Sequence, residues 1–399
     1  MTTTHAGPKA RAVLGELWHE RLGGFAVSND HTPHLRSALE WLCRAQDATD
    51  SAGFARGYSL VRHEQFGIRG WQAAYPETTG YIIPTLFLAA HHLAWPELAV
   101  RAIRAAQWEI EVQLPSGAVQ GGVTGEPPTP AIFNTGQVMF GWLAAYHVTK
   151  SEEFATATRR AADYLVSALD EDGVWRKGNS MFADRRATNY NARTAWALAE
   201  AGALFAEPRY TNGARRALLQ VARQQHDNGW LPACCLTDPS EPLLHTLAYA
   251  VRGLVEGGRV LGDSALVAAG AAAAGAIAER VDDRGTLPGR LTSTWGSAAK
   301  WRCLTGEAQM ANVWMRLEAI TGERAWTRHV PRMLHALKAT QSRDAGDPGI
   351  RGGIKGSSPL TGWYGRFEVL NWATKFFADA LMRDEKRGDY ATDRCGVLA

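Results

Sequence analysis

A helix-period apolar segment recurs six times along the chain, and this recurrence limits the possible folds more than any other feature. The segments are TGYIIPTLFLAAHHL from Thr79, NTGQVMFGWLAAYHVT from Asn134, YNARTAWALAEAGALFA from Tyr190, LLHTLAYAVRGLVEGGRVL from Leu243, GEAQMANVWMRLEAITG from Gly306 and EVLNWATKFFADALMRD from Glu368. Successive starts lie about 50 to 65 residues apart, the spacing of a helix-hairpin repeat. A helix apolar nearly all round is buried on most sides.

Helices of another character lie between them, from Leu35, Glu97, Glu153, Tyr210, Asp263 and Ala325. Most carry one charged and one apolar face, the pattern of a helix covering others from outside; the Asp263 helix is the least polar. Most end in turns rich in Gly, Asp and Trp, such as DEDGVWRKGN from Asp170 and HDNGWLP from His226, which stop a helix by accepting left-handed backbone. Outer helix, long loop and inner helix, repeated six times, predict an all-α (α/α)6 toroid of two concentric rings. An open superhelix of the same hairpins is the alternative, but six is the number that closes. The expected layout is an N-terminal extension over 1–30, the toroid over 31–388 and a tail over 389–399. The long loops gather at one end, where the inner-helix N-termini point and function is expected.

The formal net charge of +3, without a lysine or arginine run, argues against a polyanion such as DNA, so no nucleic acid partner is expected. The first 26 residues lack the uninterrupted apolar stretch of a secretory signal, and no run is long and clean enough for a membrane span. Five cysteines without CxxC spacing read as a reduced, cytoplasmic protein with no cysteine-based zinc site. No phosphate-binding Gly loop, HExxH or Gly-x-Ser-x-Gly elbow occurs, and no cofactor or metal is expected. Oligomeric state is not legible.

A Gln near an outer-helix end followed by a Gly turn recurs as Gln46 with Gly53, Gln225 with Gly229-Trp230, and Gln341 with Gly352-Gly353; TAWAL begins at Thr194. This pattern resembles the toroid superfamily of terpenoid cyclases, protein prenyltransferase β-subunits, six-hairpin glycosidases and polysaccharide lyases. The resemblance implies the fold, not a function. Terpenoid cyclases need a DxDD-type segment, and the nearest match here is Asp170-Glu171-Asp172 in a turn. Prenyltransferases need a zinc motif, and Cys303 and His245 belong to none. By elimination a glycan-acting toroid fits best. More narrowly, YPETTGYIIPTL from Tyr75 and GWYGRFEVLNWATKFFADAL from Gly362 resemble uncharacterised proteins of bacterial surface-polysaccharide clusters. The aromatic-rich C-terminal segment also resembles the catalytic domain of glucuronyl C5-epimerases.

Carbohydrate clefts need flat aromatics, polar groups for hydroxyls, and acid/base groups at the reacting bond. The long-loop end supplies Tyr58, Trp71, Tyr75, Trp175, Trp230, Trp295, Trp301, Trp363 and Tyr364, whereas Trp142, Trp196 and Trp314 on inner helices read as core. Glu77, Asp184, Glu307 and Glu368 stand where inner helices begin, positions that charge complementarity with the helix also favours. Glu77 and Glu368 lie on the first and last inner helices, neighbours once the ring closes, and could serve as a hydrolase pair. A second constellation suits elimination from a uronic acid. In it Tyr190, His245 and Tyr364 are base or acid, and Asn191, Arg193 and Arg366 neutralise the sugar carboxylate. Trp230, Trp295, Trp363, Tyr75 and Glu307 complete the expected substrate contacts. Arg185, Arg186, Arg290, Lys300, Arg302 and Lys355 form an expected cationic rim. The reading is an enzyme acting on an acidic glycan, first by β-elimination or a related C5 proton abstraction. The alternatives are a glycoside hydrolase, a non-catalytic glycan-binding component, and an isoprenoid cyclase.

Overall fold

Glutamine side chains at the ends of the outer helices stitch the molecule into a ring. The computed structural model describes residues 8–179, 188–235 and 237–386. Helix α1 (Pro8–Arg21) precedes six outer helices: α2 (Thr32–Asp47), α4 (Glu97–Glu111), α6 (Glu152–Ala168), α8 (Pro208–Arg223), α10 (Ser264–Ala278) and α12 (Val330–Lys338). They alternate with six inner helices: α3 (Pro76–His92), α5 (Ile132–Thr149), α7 (Ala192–Phe205), α9 (Leu244–Leu261), α11 (Leu304–Thr321) and α13 (Asn371–Glu385). Gln46 donates from Nε2 to the carbonyls of Ala52 (2.8 Å) and Arg101 (3.2 Å), the first in its own turn and the second on the next outer helix. Gln113 and Gln225 repeat this with Gly117 and Ala157, and with Gly229 and Ala269. Gln341 donates to Gly352 and to the His34 carbonyl of α2, so the last outer helix is tied to the first. The Gln–Gly signature is therefore a repeated inter-helix staple.

Inner helices pack each on the next around the ring, and α13 returns to α3. Their close approach depends on glycine: a Cβ on Gly80 of α3 would lie 2.4 Å from the Val138 Cα of α5, and one on Gly253 of α9 2.3 Å from the Ala192 carbonyl carbon. Trp142 and Trp314 are fully buried and donate to Ala106 and Ala274 carbonyls on the outer ring. Closure is reinforced by a small sheet in the long loops. Strand β1 (Gly57–Ser59) pairs with β2 (Gly70–Trp71) on one side and β4 (Glu368–Leu370) on the other, and β4 pairs in turn with β3 (Ile354–Lys355). Glu368, expected at a helix start, is thus a strand residue, because pairing with the first loop keeps its backbone extended until Asn371. Among the described residues no helix is long and apolar enough to cross a membrane.

Two expected rim cations are enclosed instead. Lys355 is 2% exposed and paired with Glu16 at 2.8 Å and Glu20 at 3.2 Å, both on α1. Arg302 is committed to Glu307. Asp184, Arg185 and Arg186 lie outside the described residues.

Candidate active site

A cavity of about 690 Å³ opens at the long-loop end. Five of the six inner helices deliver residues from their first turns or the residues just before them: Glu77 from α3, Phe133 and Asn134 from α5, Tyr190 ahead of α7, His245 from α9, and Trp372 from α13. Tyr81 and Tyr249, one turn further in, also line it. Much of the remaining wall comes from residues 61–66 of the first long loop and 363–368 of the last, with Gly122, Val123 and Glu126 contributed by the second.

Of the four glutamates that line this cavity, Glu64, Glu77, Glu126 and Glu368, the enclosed Glu77 and Glu368 have opposite environments. Tyr75 donates from its hydroxyl to Glu77 Oε2 at 2.5 Å. Burial pushes the Glu77 carboxyl up to about 7, against the pull of Tyr75 and the charges of Arg56 and Arg193. Glu77 therefore exchanges its proton around neutrality, about half protonated at pH 7. For Glu368 burial also acts upward, but Arg56, His63 and Gln72 more than offset it and hold the carboxyl near 2. Arg56 Nη1 lies 2.8 Å from Glu368 Oε1, His63 Nε2 lies 3.3 Å away, and Gln72 Nε2 donates to the same oxygen. Arg56 itself sits between the Phe66 and Trp372 rings, with centroids at 5.3 and 5.0 Å. Glu368 is thus a permanent anion that fixes Arg56 and His63 against the wall.

The opposite wall carries His245. Its Nδ1 meets the Gln309 side-chain oxygen at 2.9 Å, so Nδ1 holds the hydrogen and Nε2 keeps a lone pair. Burial pushes the imidazolium down to about 4, leaving the ring neutral at ordinary pH. The ring packs on Tyr249 (4.5 Å) and Tyr364 (5.4 Å). Burial raises the tyrosine hydroxyls of Tyr249 and Tyr364, which makes them donors of hydrogen bonds rather than bases.

Of the residues singled out in the sequence, Glu77, Tyr75, Tyr190, His245, Tyr364, Glu368, Trp363 and Arg366 share this cavity. The others lie elsewhere. Asn191 donates to Asn179 beside the turn before α7. Arg193 is buried behind the wall, donating to Gln137. Trp230 and Trp295 pack edge to face at 5.0 Å, with the Trp295 indole donating to the Asn228 carbonyl under a turn. Glu307 is fully buried, held by Arg302 through both oxygens and by the Leu287 amide. Tyr58, Trp71, Trp175 and Trp301 likewise do not line the cavity. Sequence reasoning missed Arg56, His63 and Gln72, which sit in the first long loop where no periodicity points, and Tyr81 and Tyr249. These two tyrosines had one legible signal, a polar tip inside an otherwise apolar inner helix.

No model of a known family matches the chain, and no curated protein matches it. Solved structures do match. One is an unsaturated glucuronyl hydrolase specific for heparin, with a TM-score of 0.69 at 14% identity over 92% of this chain and 96% of that one. Another is the unsaturated glucuronyl hydrolase of Bacillus sp. GL1, described as responsible for the degradation of glycosaminoglycan, with a TM-score of 0.69 at 15% identity over 89% and 97%. A third is cellobiose 2-epimerase from Bacillus thermoamylovorans, with a TM-score of 0.67 at 12% identity over 94% and 100%. The fold is the (α/α)6 toroid that these structures share. At these identities the likeness concerns the fold alone. In this toroid the cavity occupies the end where the inner helices begin. Among the described residues no cluster of three or more His, Cys, Asp or Glu could hold a metal ion.

Proposed function

We propose that this chain is an enzyme that hydrolyses a glycosidic bond in an acidic oligosaccharide, with Glu77 as the general acid. The supporting observation is a carboxyl whose titration burial raises to near neutrality, hydrogen-bonded to Tyr75 in an aromatic-walled cavity that also carries Arg56, Arg62 and Arg366. Glu77 gives its proton to the leaving glycosidic oxygen as the bond to the anomeric carbon breaks. A water adds at that carbon, and its surplus proton restores Glu77, so one water is consumed per bond. Tyr75 orients the acid through Oε2. Glu368, too weakly basic to accept a proton readily, keeps Arg56 and His63 in place. The arginines suit a uronic acid, and the glucuronyl hydrolases of like fold agree with that substrate class. An isoprenoid would find these charges unfavourable.

A second reading is proton abstraction at C5, by elimination or epimerisation. It is favoured by the neutral His245 beside Tyr249 and Tyr364. One assay on uronic-acid-containing oligosaccharides separates the readings. Hydrolysis releases reducing ends without new ultraviolet absorbance, elimination creates an absorbing double bond, and epimerisation exchanges the C5 hydrogen with solvent. Binding without turnover would indicate a non-catalytic glycan-binding component. Glu77→Gln is expected to lower kcat roughly a thousandfold with the fold retained. Full turnover in that variant would refute the assignment.

A further inference from the structure

Beneath the cavity the barrel axis holds a cation, Arg193, that is paired with no carboxylate among the described residues. Arg193, 5% exposed, donates from Nε to the Gln137 oxygen at 2.6 Å. It makes no ion pair among the described residues. Five rings surround its guanidinium at 5.1 to 5.9 Å: Tyr81 from α3, Phe140 from α5, Trp196 from α7, Tyr249 from α9 and Phe376 from α13. The π-faces of such rings partly replace the water a buried cation has lost. The neighbouring cations, by contrast, stand in ion pairs. Lys375 pairs with Asp379 on α13, Arg252 of α9 and Arg316 of α11 share Glu256, and Glu200 of α7 is met by Arg259. Glu77 and His245 face the cage from the cavity side, and the charge of Arg193 lowers both.

Tyr81 and Tyr249 belong to the cage and to the cavity wall together. One layer of rings therefore separates from the substrate space a positive charge that makes no ion pair among the described residues, and a charge buried in this way is poorly screened by salt. We propose that Arg193 is the specificity residue that makes the floor of this cavity select a carboxylate-bearing sugar, acting through Tyr81 and Tyr249 rather than by touching the ligand. This rests on the glycan reading for its substrate class. It goes beyond that reading by assigning the selection to a residue outside the cavity.

The test uses the full chain, Arg193→Met and Arg193→Lys, with free D-glucuronate and its methyl ester as probes in calorimetric titrations. The unaltered protein should prefer the acid. Arg193→Met should lose that preference by roughly tenfold or more while keeping its affinity for the ester, and Arg193→Lys should retain it. An equal loss for both probes would make Arg193 merely structural, and no preference in the unaltered protein would overturn the proposal. A ligand-free readout guards against poor folding: the His245 ring, followed by NMR, should titrate higher in Arg193→Met and not in Arg193→Lys. No movement there would mean the field does not reach the cavity, and the proposal would fall. Acid preference that follows Arg193 without any glycan turnover would sink the hydrolase reading and leave this inference standing. Turnover with unaltered acid preference in Arg193→Met would do the reverse.

Discussion

At the residue scale, the cavity separates two carboxyls of identical chemistry by what surrounds them. Glu77 is enclosed with a single phenol donor, whereas Glu368 is enclosed with an arginine, a histidine and an amide. Divergent pairs of this kind mark acid and base assignments. A raised carboxyl is protonated below its folded value, so the acid function is present below about 7 and lost as pH rises through it. The kcat/KM profile should fall on that alkaline side. Tyr75 stabilises the ionised form of Glu77 by donating to it, so Tyr75→Phe should move this limb to higher pH. A limb that stays in place in Tyr75→Phe would show that another group controls it. The identity of Glu77 as a candidate was readable in the chain, since it stands at a helix start. Its protonation was not, because that depends on what the other repeats place around it.

At the scale of elements, the periodic pattern located every inner and outer helix, with the ends displaced by a few residues. Helix α3 begins at Pro76 rather than Thr79 and α5 at Ile132 rather than Asn134, whereas α13 begins only at Asn371, because tertiary pairing keeps the residues from Glu368 extended. Threonines in the first turns take part: Thr79, Thr135 and Thr374 accept from the backbone amides of Phe54, Val119 and Ile354. The spacing of α3 and α5 depends on Gly80. Alanine there would gain about 1 kcal/mol of helix propensity. Its Cβ would, however, sit 2.4 Å from Val138 Cα, and backbone cannot yield as a side chain does. Overpacking should win, and Gly80→Ala should lower the urea-unfolding free energy by about 1–3 kcal/mol. A neutral or stabilised variant would show that the two helices can separate freely.

For the whole molecule, closure brings together segments from the two ends of the chain. Strand β1 meets β4, Gln341 meets His34, and Asn371 donates to the Ala55 carbonyl and Thr78. Helix α1 adds a clamp, since Glu16 and Glu20 hold Lys355 and Glu20 accepts the Leu360 amide of the loop that ends in the cavity wall. Lys355→Met would leave two enclosed acids without their cation. The cost should be about 3 kcal/mol, with faster hydrogen exchange in residues 8–21. Unchanged exchange there would show that the clamp does not hold α1. Alternating apolar and amphipathic helices, repeated six times with glycine turns, were enough to specify a two-layered ring and the end at which its loops collect. Periodicity acts locally, and each segment carries its own. The partners of Arg56, the enclosure of Glu77, the aromatic cage of Arg193 and the withdrawal of Glu307 and Trp230 from the cavity all depend on side chains from different repeats. Their positions relative to one another exist only once the ring has closed.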